Sequence, residues 1–323
     1  MRLPYAIAVT FLALAFVLAS SEPVYAQLKG HYIPGFTGLQ NGSQSPPGIT
    51  LILPIYFYTT DTIKDDDGNS VGVHPRIAAS FIGPGAVWVT NAKILGGNLG
   101  GQFIPITFVK SRIESNSIDV PGSFAFSDIF LQPFQLGWQK PHADVTLGWG
   151  VFFPTGKWEA GADDNSGLGM WSYDFQAGAT LHLDQRHAWT TSLLSTYEIH
   201  SHKEDTDLKA GDILTFEGGT GKAFYKAVEG TPIPQIMNVG LAYYAQFKVS
   251  SDTGSGPLAD ELLAGKKDHV FGVGAEGSLF LPKPELLLDL RVVPEFEAHN
   301  RTQGWTFVFT VAYQAKSFAK QAE

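Results

Sequence analysis

The segment GGTGKA, residues 218–223, looks at first like a phosphate-binding loop. Such a loop requires a glycine six residues before its lysine and a serine or threonine directly after it. Phe216 and Ala223 occupy those two positions here. We therefore interpret the segment as a strand end or a turn, and the sequence predicts no nucleotide site there.

A second candidate is the metal-ligating set in EIHSH. Glu198, His200 and His202 alternate along one face of a predicted strand, so their side chains could converge on a metal ion. A fourth ligand is not evident, and the strand runs into a polar loop at this point. A solvated loop is the default interpretation, and no metal is expected.

Two acidic loops contain closely spaced carboxylates that could take calcium: IKDDDGNSVG, residues 63–72, and GADDNSG, residues 161–167. Neither follows the twelve-residue EF-hand pattern with its terminal glutamate. Gly68 and Asn69 are instead typical of a turn. The sequence thus predicts no resident cofactor.

Seven charged residues share another property, because each falls on the polar side of a segment in which polar and apolar residues alternate. They are Asp128, Asp174, Glu198, Glu276, Asp289, Arg291 and Glu295. If these segments enclose a lumen, the set predicts a solute path whose field favours neutral or cationic solutes. A wet lumen without selectivity is the alternative interpretation.

The elements that would position these residues are strands with period two. In WTFVFTVAY, residues 305–313, Trp305, Phe307 and Phe309 fall on one face, while Thr306 and Thr310 fall on the other. In a soluble sandwich the apolar face would be a core, whereas in a membrane barrel it would meet lipid. Aromatic residues at strand ends favour the barrel, because Trp and Tyr collect at membrane interfaces.

Composition points the same way. Charged residues make up 16% of the chain, against about 25% in typical globular domains, and aromatic residues make up 13%. Beyond the N-terminus no apolar run is long enough for a membrane helix.

The net charge of −9 and the lack of a basic tract argue against nucleic acid as a partner, and the lack of cysteine excludes disulfides.

The N-terminus predicts export. Arg2 precedes an apolar run over residues 5–19, and Val24-Tyr25-Ala26 has the small-residue pattern of a cleavage site. We expect a signal peptide over 1–26, a segment over 27–47 that is either a disordered leader or a partial plug, a barrel over 48–313 and a charged tail over 314–323.

The alternation predicts twelve strands: 48–59, 73–90, 101–110, 123–137, 143–153, 170–182, 188–199, 211–226, 235–248, 268–280, 285–297 and 303–313. Short connections such as QKPHA mostly alternate with long polar ones such as HSHKEDTDLKA. This alternation is typical of an all-β, antiparallel, up-and-down transmembrane β-barrel with short periplasmic turns and long outer loops. An even strand count also places both ends of the barrel in the periplasm.

Seven segments of the chain share their order and spacing with a known family: SPPGITLILPIYFY, ILGGNLGGQFIPITF, SDIFLQPFQLGW, GWGVFFPTGKWEAG, NSGLGMWSYDFQAGATLHL, GDILTFEGG and VGLAYYAQ. The most specific part is PTG followed by N-x-G-x-G-x-W-S. On these segments, which cover most of the predicted mature chain, the sequence resembles the outer-membrane β-barrel family named for the MetA pathway of phenol degradation.

The resemblance implies an outer-membrane channel or transporter for small, hydrophobic or aromatic compounds, and it supplies no catalytic motif. The expected partners are outer-membrane lipids, a small-molecule solute and the barrel-assembly machinery. Two alternatives remain open at this point: a barrel enzyme that acts on lipids, and a structural or adhesive barrel without transport.

Overall fold

The computed structural model describes residues 28–72, 75–105, 107–114, 119–121, 124–162, 164–255 and 267–318. The signal peptide expected over 1–26 and the last residues of the tail, 319–323, lie outside this part of the chain. Within the described ranges no helix is long and apolar enough to cross a membrane.

The described residues form sixteen strand segments, all antiparallel to their neighbours: β1 (Gly48–Ile63), β2 (Arg76–Ile82), β3 (Gly85–Ile94), β4 (Gly97–Ile104), β5 (Phe108–Glu114), β6 (Asp119–Pro121), β7 (Ala125–Phe126), β8 (Ile129–Gln139), β9 (Ala143–Phe153), β10 (Ser172–His182), β11 (Trp189–His200), β12 (Ile213–Lys226), β13 (Gln235–Lys248), β14 (His269–Leu281), β15 (Leu286–His299) and β16 (Thr302–Ser317).

Some of these segments are parts of one barrel strand. β2 and β3 both pair with β1 and are separated by Gly83 and Pro84, where proline lacks the N–H that a continuous ladder needs. Pro105 separates β4 from β5 in the same way, and β6, β7 and β8 follow one another along the next strand. In the described ranges the barrel therefore has twelve strands. Pairing of β16 with β1 closes it, which confirms the predicted fold class.

Connection lengths differ between the two ends of the barrel. Gly48 pairs with Ser317, so the first and last strands meet at one end, which we call the short-turn end. The turn from β3 to β4 at this end is only Leu95 and Gly96, both with positive φ (52° and 82°), as in a type I′ hairpin. Longer connections, such as 154–171 and 201–212, lie at the opposite end, which we call the long-loop end. The last strand also extends four residues beyond the predicted boundary at 313.

The two faces of the strands follow the predicted alternation. On β16, Trp305 is 50% exposed and Phe309 is 39% exposed, whereas Thr306 and Val308 are fully buried. A wall that turns aromatic and aliphatic side chains outward and polar ones inward suits a barrel surrounded by lipid.

Residues 28–47, which we call the N-terminal segment, lie inside the barrel. They contact side chains from strands around its circumference, which is possible only from the interior. Leu28 donates its N–H to Asp252 at the long-loop end, and the carbonyl of Pro47 accepts the N–H of Phe318 at the short-turn end. The segment therefore runs through the lumen from one end to the other.

Candidate functional site

Carboxylates on the barrel wall hold the backbone of the N-terminal segment. Glu198 of β11 accepts the N–H groups of His31 (2.6 Å) and Tyr32 (3.0 Å). On the next strand, Glu217 accepts the N–H of Gly35 (2.8 Å) and the hydroxyl of Tyr32. Hydrogen bonds to a charged acceptor are stronger than neutral ones, and both carboxylates are fully buried. The wall thus satisfies backbone donors that a segment without secondary structure leaves unpaired.

Arg291 forms the centre of a buried charge cluster deeper in the lumen. Its Nη2 lies 2.5 Å from Asp289 on the same strand, and its Nε lies 3.1 Å from Glu276 on β14. Nη1 donates to the carbonyl of Phe36 (2.6 Å), while Glu276 accepts the N–H of Leu39 (2.9 Å). One guanidinium therefore pairs with two acids and also binds the N-terminal segment.

Glu295 does not pair with Arg291, although the two lie on the same strand. It accepts hydrogen bonds from the hydroxyls of Tyr58 (2.8 Å) and Tyr244 (2.9 Å) and from the N–H of Gly304 (2.7 Å). Three neutral donors thus stabilise this carboxylate: Gly304 lies on the neighbouring strand β16, whereas Tyr58 of β1 and Tyr244 of β13 reach it from two strands away on either side.

Asp128 lies between β7 and β8, outside the regular strands. It accepts the N–H groups of Gly156 (2.9 Å) and Leu168 (2.8 Å) from the long loop after β9. The same carboxylate lies 2.8 Å from Nε2 of His31. Asp128 therefore joins a long loop to the N-terminal segment.

Asp174, like Asp289 and Glu295, makes no hydrogen bond or ion pair with the N-terminal segment among the described residues. Its side chain is fully buried and accepts a hydrogen bond from Gln176 (2.6 Å). All seven predicted residues are buried, and the structure brings Asp289, Arg291 and Glu276 into one cluster.

His31 sits in a second polar cluster. Its Nδ1 lies 2.6 Å from the hydroxyl of Ser172, which also lies 2.8 Å from Nδ1 of His200, and its ring stacks on Phe152. Burial disfavours the charged imidazole, but hydrogen bonds to Asp128 and Glu198 outweigh this effect and raise the pKa of His31 above its ordinary value of 6.5.

The proposed metal ligands do not converge. His200 is buried against Ser172, whereas His202 is exposed in the following loop. In the part of the chain that the structure describes, no group of three or more histidine, cysteine or acidic side chains is placed to hold a metal ion. In the acidic loop after β1, Asp65 accepts the N–H groups of Asp67 and Asn69, as the turn interpretation predicts.

Glycines make room for the N-terminal segment. A Cβ at Gly42 would lie 2.1 Å from the backbone of Ala179, and a Cβ at Gly219 or Gly221 would lie within 2.9 Å of the Leu39 side chain. Gly219 and Gly221 belong to GGTGKA, which lies inside β12 rather than at a strand end or turn. Its glycines allow the close approach of a second chain segment.

The sequence interpretation missed Glu217 and His31, although one of them left a signal. Glu217 alternates with Thr215 on the polar face of a predicted strand, so period-two reasoning could have included it. His31 lies in a segment without periodicity, and its contact with Asp128 spans 97 residues of chain.

A cavity of about 250 Å³ remains between the N-terminal segment and the wall formed by β1, β2 and β5. Four aromatic residues belong to its lining. These aromatic residues are Tyr32, Tyr56, Tyr58 and Phe81, and the charged residues of the lining are Lys29, Lys110, Asp268, Glu295 and Arg301.

The sequence profile of the family described as Putative MetA-pathway of phenol degradation matches residues 60–311. The chain belongs to this family. Its barrel resembles the crystal structure of the COG4313 outer membrane channel from Pseudomonas putida F1, with a TM-score of 0.67 and 14% identity over 86% of this chain and 99% of that chain.

A weaker structural match is the outer membrane channel DcaP of Acinetobacter baumannii, with a TM-score of 0.31 and 11% identity over 84% of this chain and 99% of that chain. No curated protein matches the sequence. The family member described here is a protein of the bacterial outer membrane.

Proposed function

We propose that this chain is an outer-membrane channel that passes small hydrophobic or aromatic compounds by passive diffusion. The observation that carries this proposal is how the lumen is filled. The N-terminal segment occupies the lumen, and polar contacts hold the segment to the wall. Side chains of the wall alone therefore do not fill the lumen. Water or a solute can replace such contacts, so displacement of the segment would leave a wet passage.

The size of the barrel supports the same function. Barrels of about eight strands are filled by side chains, whereas those of about sixteen enclose an open channel. Twelve strands enclose a lumen of intermediate width, which suits one small solute. The family name refers to phenol degradation, and the Pseudomonas putida protein is named as a channel. We place the short-turn end in the periplasm, with outer-membrane lipids around the wall and the barrel-assembly machinery as the partner during insertion.

Purified protein in planar bilayers and in liposomes tests the proposal. We expect discrete conductance steps and uptake of members of a panel of aromatic acids and alkanes. A variant that lacks residues 28–47 should conduct more than the intact chain. If neither protein conducts or takes up any solute, the chain is a structural or adhesive barrel instead.

A hydrolase is the second candidate, because one specific constellation favours it. The two ring nitrogens of His31 contact the Ser172 hydroxyl and the Asp128 carboxylate, as in a serine hydrolase triad. However, Ser172 is fully buried, and none of these three residues lines the described cavity. A nucleophile must be accessible to its substrate, and Ser172 is not. We therefore infer that Ser172, His31 and Asp128 hold the N-terminal segment in place rather than catalyse hydrolysis.

Ester hydrolysis by the purified protein and by Ser172→Ala separates the two candidates. We expect no hydrolysis of short-chain or lipid esters by either protein, and solute uptake by both. Hydrolysis by the intact chain that disappears in Ser172→Ala would make the chain an enzyme.

A further inference from the structure

The cavity beside the N-terminal segment combines aromatic side chains with a lysine that has no hydrogen-bond or ion-pair partner among the described residues. Tyr56 and Tyr58 of β1 and Phe81 of β2 line one side. Lys29 of the N-terminal segment and Arg301 of the β15–β16 turn also line it. An aromatic surface with a few polar groups is the usual composition of a small-molecule site.

The acids at this cavity already have partners. Glu295 accepts three hydrogen bonds from neutral donors. Asp268 lies 3.4 Å from Arg301 and 3.7 Å from Lys248. Neither carboxylate therefore needs the Lys29 ammonium for its own stabilisation.

Lys29 differs from these groups, because it makes no hydrogen bond or ion pair with any residue in the described ranges. Its side chain is exposed where it lines the cavity, so the ammonium is open to a ligand there. Desolvation by the surrounding wall, and then the nearby charge of Arg301, lower the pKa of Lys29, while Asp268 and Glu295 act in the opposite direction. An anion bound beside the ammonium would stabilise its charged form.

Arg301 adds positive charge to the wall of the cavity but no free donor. Its side chain is 10% exposed. Its Nη1 donates to Gln246 (3.0 Å), and its Nε, which has no hydrogen-bond partner within the described structure, is buried and out of reach of a ligand. The Lys29 ammonium is therefore the group that is open to an anion.

We propose that this cavity binds a small aromatic carboxylate, with the ring against Tyr56, Tyr58 and Phe81 and the carboxylate on Lys29. An apolar cavity of roughly 150 Å³ is enough to hold benzene, so 250 Å³ has room for a ring and its carboxylate. The inference rests on the proposed function, in that it names a class of solute that the channel binds, and it differs from the neutral or cationic solutes that the seven charged residues predict.

Equilibrium dialysis of the full chain in neutral-lipid nanodiscs tests this site with three probes of similar shape: benzoate, benzamide and benzylamine. We expect benzoate to bind about tenfold or more tightly than benzamide, since a charge-assisted hydrogen bond is worth at least that factor. Benzylamine should bind most weakly, because its cation would face Lys29. Equal binding of benzoate and benzamide would overturn the proposal.

Variants at Lys29 test the assignment of the carboxylate partner. Lys29→Met should remove the preference for benzoate while leaving benzamide binding unchanged, and Lys29→Glu should shift the preference to benzylamine. Lys140→Met removes an exposed lysine from the β8–β9 turn and serves as the control, with the preference expected to remain. The assignment is wrong if Lys29→Met keeps the benzoate preference or weakens all three probes equally.

Dialysis measures binding without flux, so it is independent of the uptake assay. Benzoate preference without any solute uptake would support the site and contradict the channel. Uptake without benzoate preference would support the channel and contradict the site.

Discussion

At the scale of single residues, Arg291 shows how charge is balanced inside this wall. An unpaired charge away from bulk water is costly, so an inward guanidinium requires acidic partners. Asp289 supplies one from the same strand, and Glu276 supplies another from the neighbouring strand. The remaining N–H donors hold the carbonyls of Gly35 and Phe36.

Replacement of Arg291 with alanine should raise the conductance and make the lumen more cation-selective. The change leaves Glu276 and Asp289 uncompensated and removes two hydrogen bonds to the N-terminal segment. Loss of one partner from a buried ion pair costs about 3–5 kcal/mol. Single-channel conductance and the reversal potential across a salt gradient are the measurements.

Asp289→Asn should shift the reversal potential in the opposite direction, since it removes a negative charge from the same cluster. Arg186→Ala is the matched control, because Arg186 is exposed in the β10–β11 turn. Unchanged reversal potentials in both Arg291→Ala and Asp289→Asn would mean that these residues do not line a conducting path.

His31 should make the attachment of the N-terminal segment dependent on pH. The raised pKa of His31 means that its imidazole is more readily charged when the N-terminal segment is bound inside the barrel than when the segment is displaced. The ring faces Asp128 and Glu198, and both His31 and His200 contact the hydroxyl of Ser172. The stabilisation is complete below about pH 6.5, the ordinary value, and is lost as the pH rises through the raised pKa. Conductance should therefore increase from about pH 6 to pH 9.

The matched variant for this experiment is His31→Asn, which keeps a polar side chain but cannot become charged in this range. Its conductance should be high at low pH and should change little with pH. A conductance that rises equally in the intact chain and in His31→Asn would assign the pH dependence to other groups.

At the scale of elements, the N-terminal segment is the part of the fold that decides whether the lumen is open. It has no regular secondary structure, and barrel-wall groups satisfy much of its backbone. Gly42 passes so close to β10 that a side chain has no space there. This close approach gives a way to displace the segment without touching a charged residue.

Gly42→Val should displace the part of the N-terminal segment around residue 42 and raise the single-channel conductance. The new side chain would overlap the backbone of Ala179, which cannot move without breaking the strand ladder. Gly72→Val is the control, because a Cβ at Gly72 meets no atom within 4 Å. Equal conductance of the two variants would show that the segment does not limit the passage.

At the scale of the whole molecule, the closed ladder should make the barrel resistant to detergent. No strand edge is left between β16 and β1, where the pairing runs from Gly48 to Ile63. Unheated protein should therefore migrate faster in detergent gels than boiled protein, because heat is needed to break the ladder. The processed chain should also fractionate with outer membranes, and recovery in the soluble periplasm would contradict this.

The sequence by itself determined the number of strands and their two faces, although the bounds predicted at 90 and 101 missed that β3 runs to Ile94 and β4 begins at Gly97. Period-two alternation is a local property of the pleated backbone. Adjacent residues such as Trp305 and Thr306 can therefore be placed on opposite faces of the sheet without knowing which strands lie beside them. The inward placement of Asp289 and Arg291 followed from the same rule, and their pairing needed only a separation of two residues along one strand.

Only the tertiary structure decided what fills the lumen. The N-terminal segment has no periodicity, so its sequence predicts neither its path nor its partners. Leu39 and Glu276 are 237 residues apart in the chain, and closure of the barrel brings them together. The absence of a hydrogen-bond or ion-pair partner for Lys29 in the described ranges is also visible only in three dimensions, since it depends on which groups the nearby acids Asp268 and Glu295 contact.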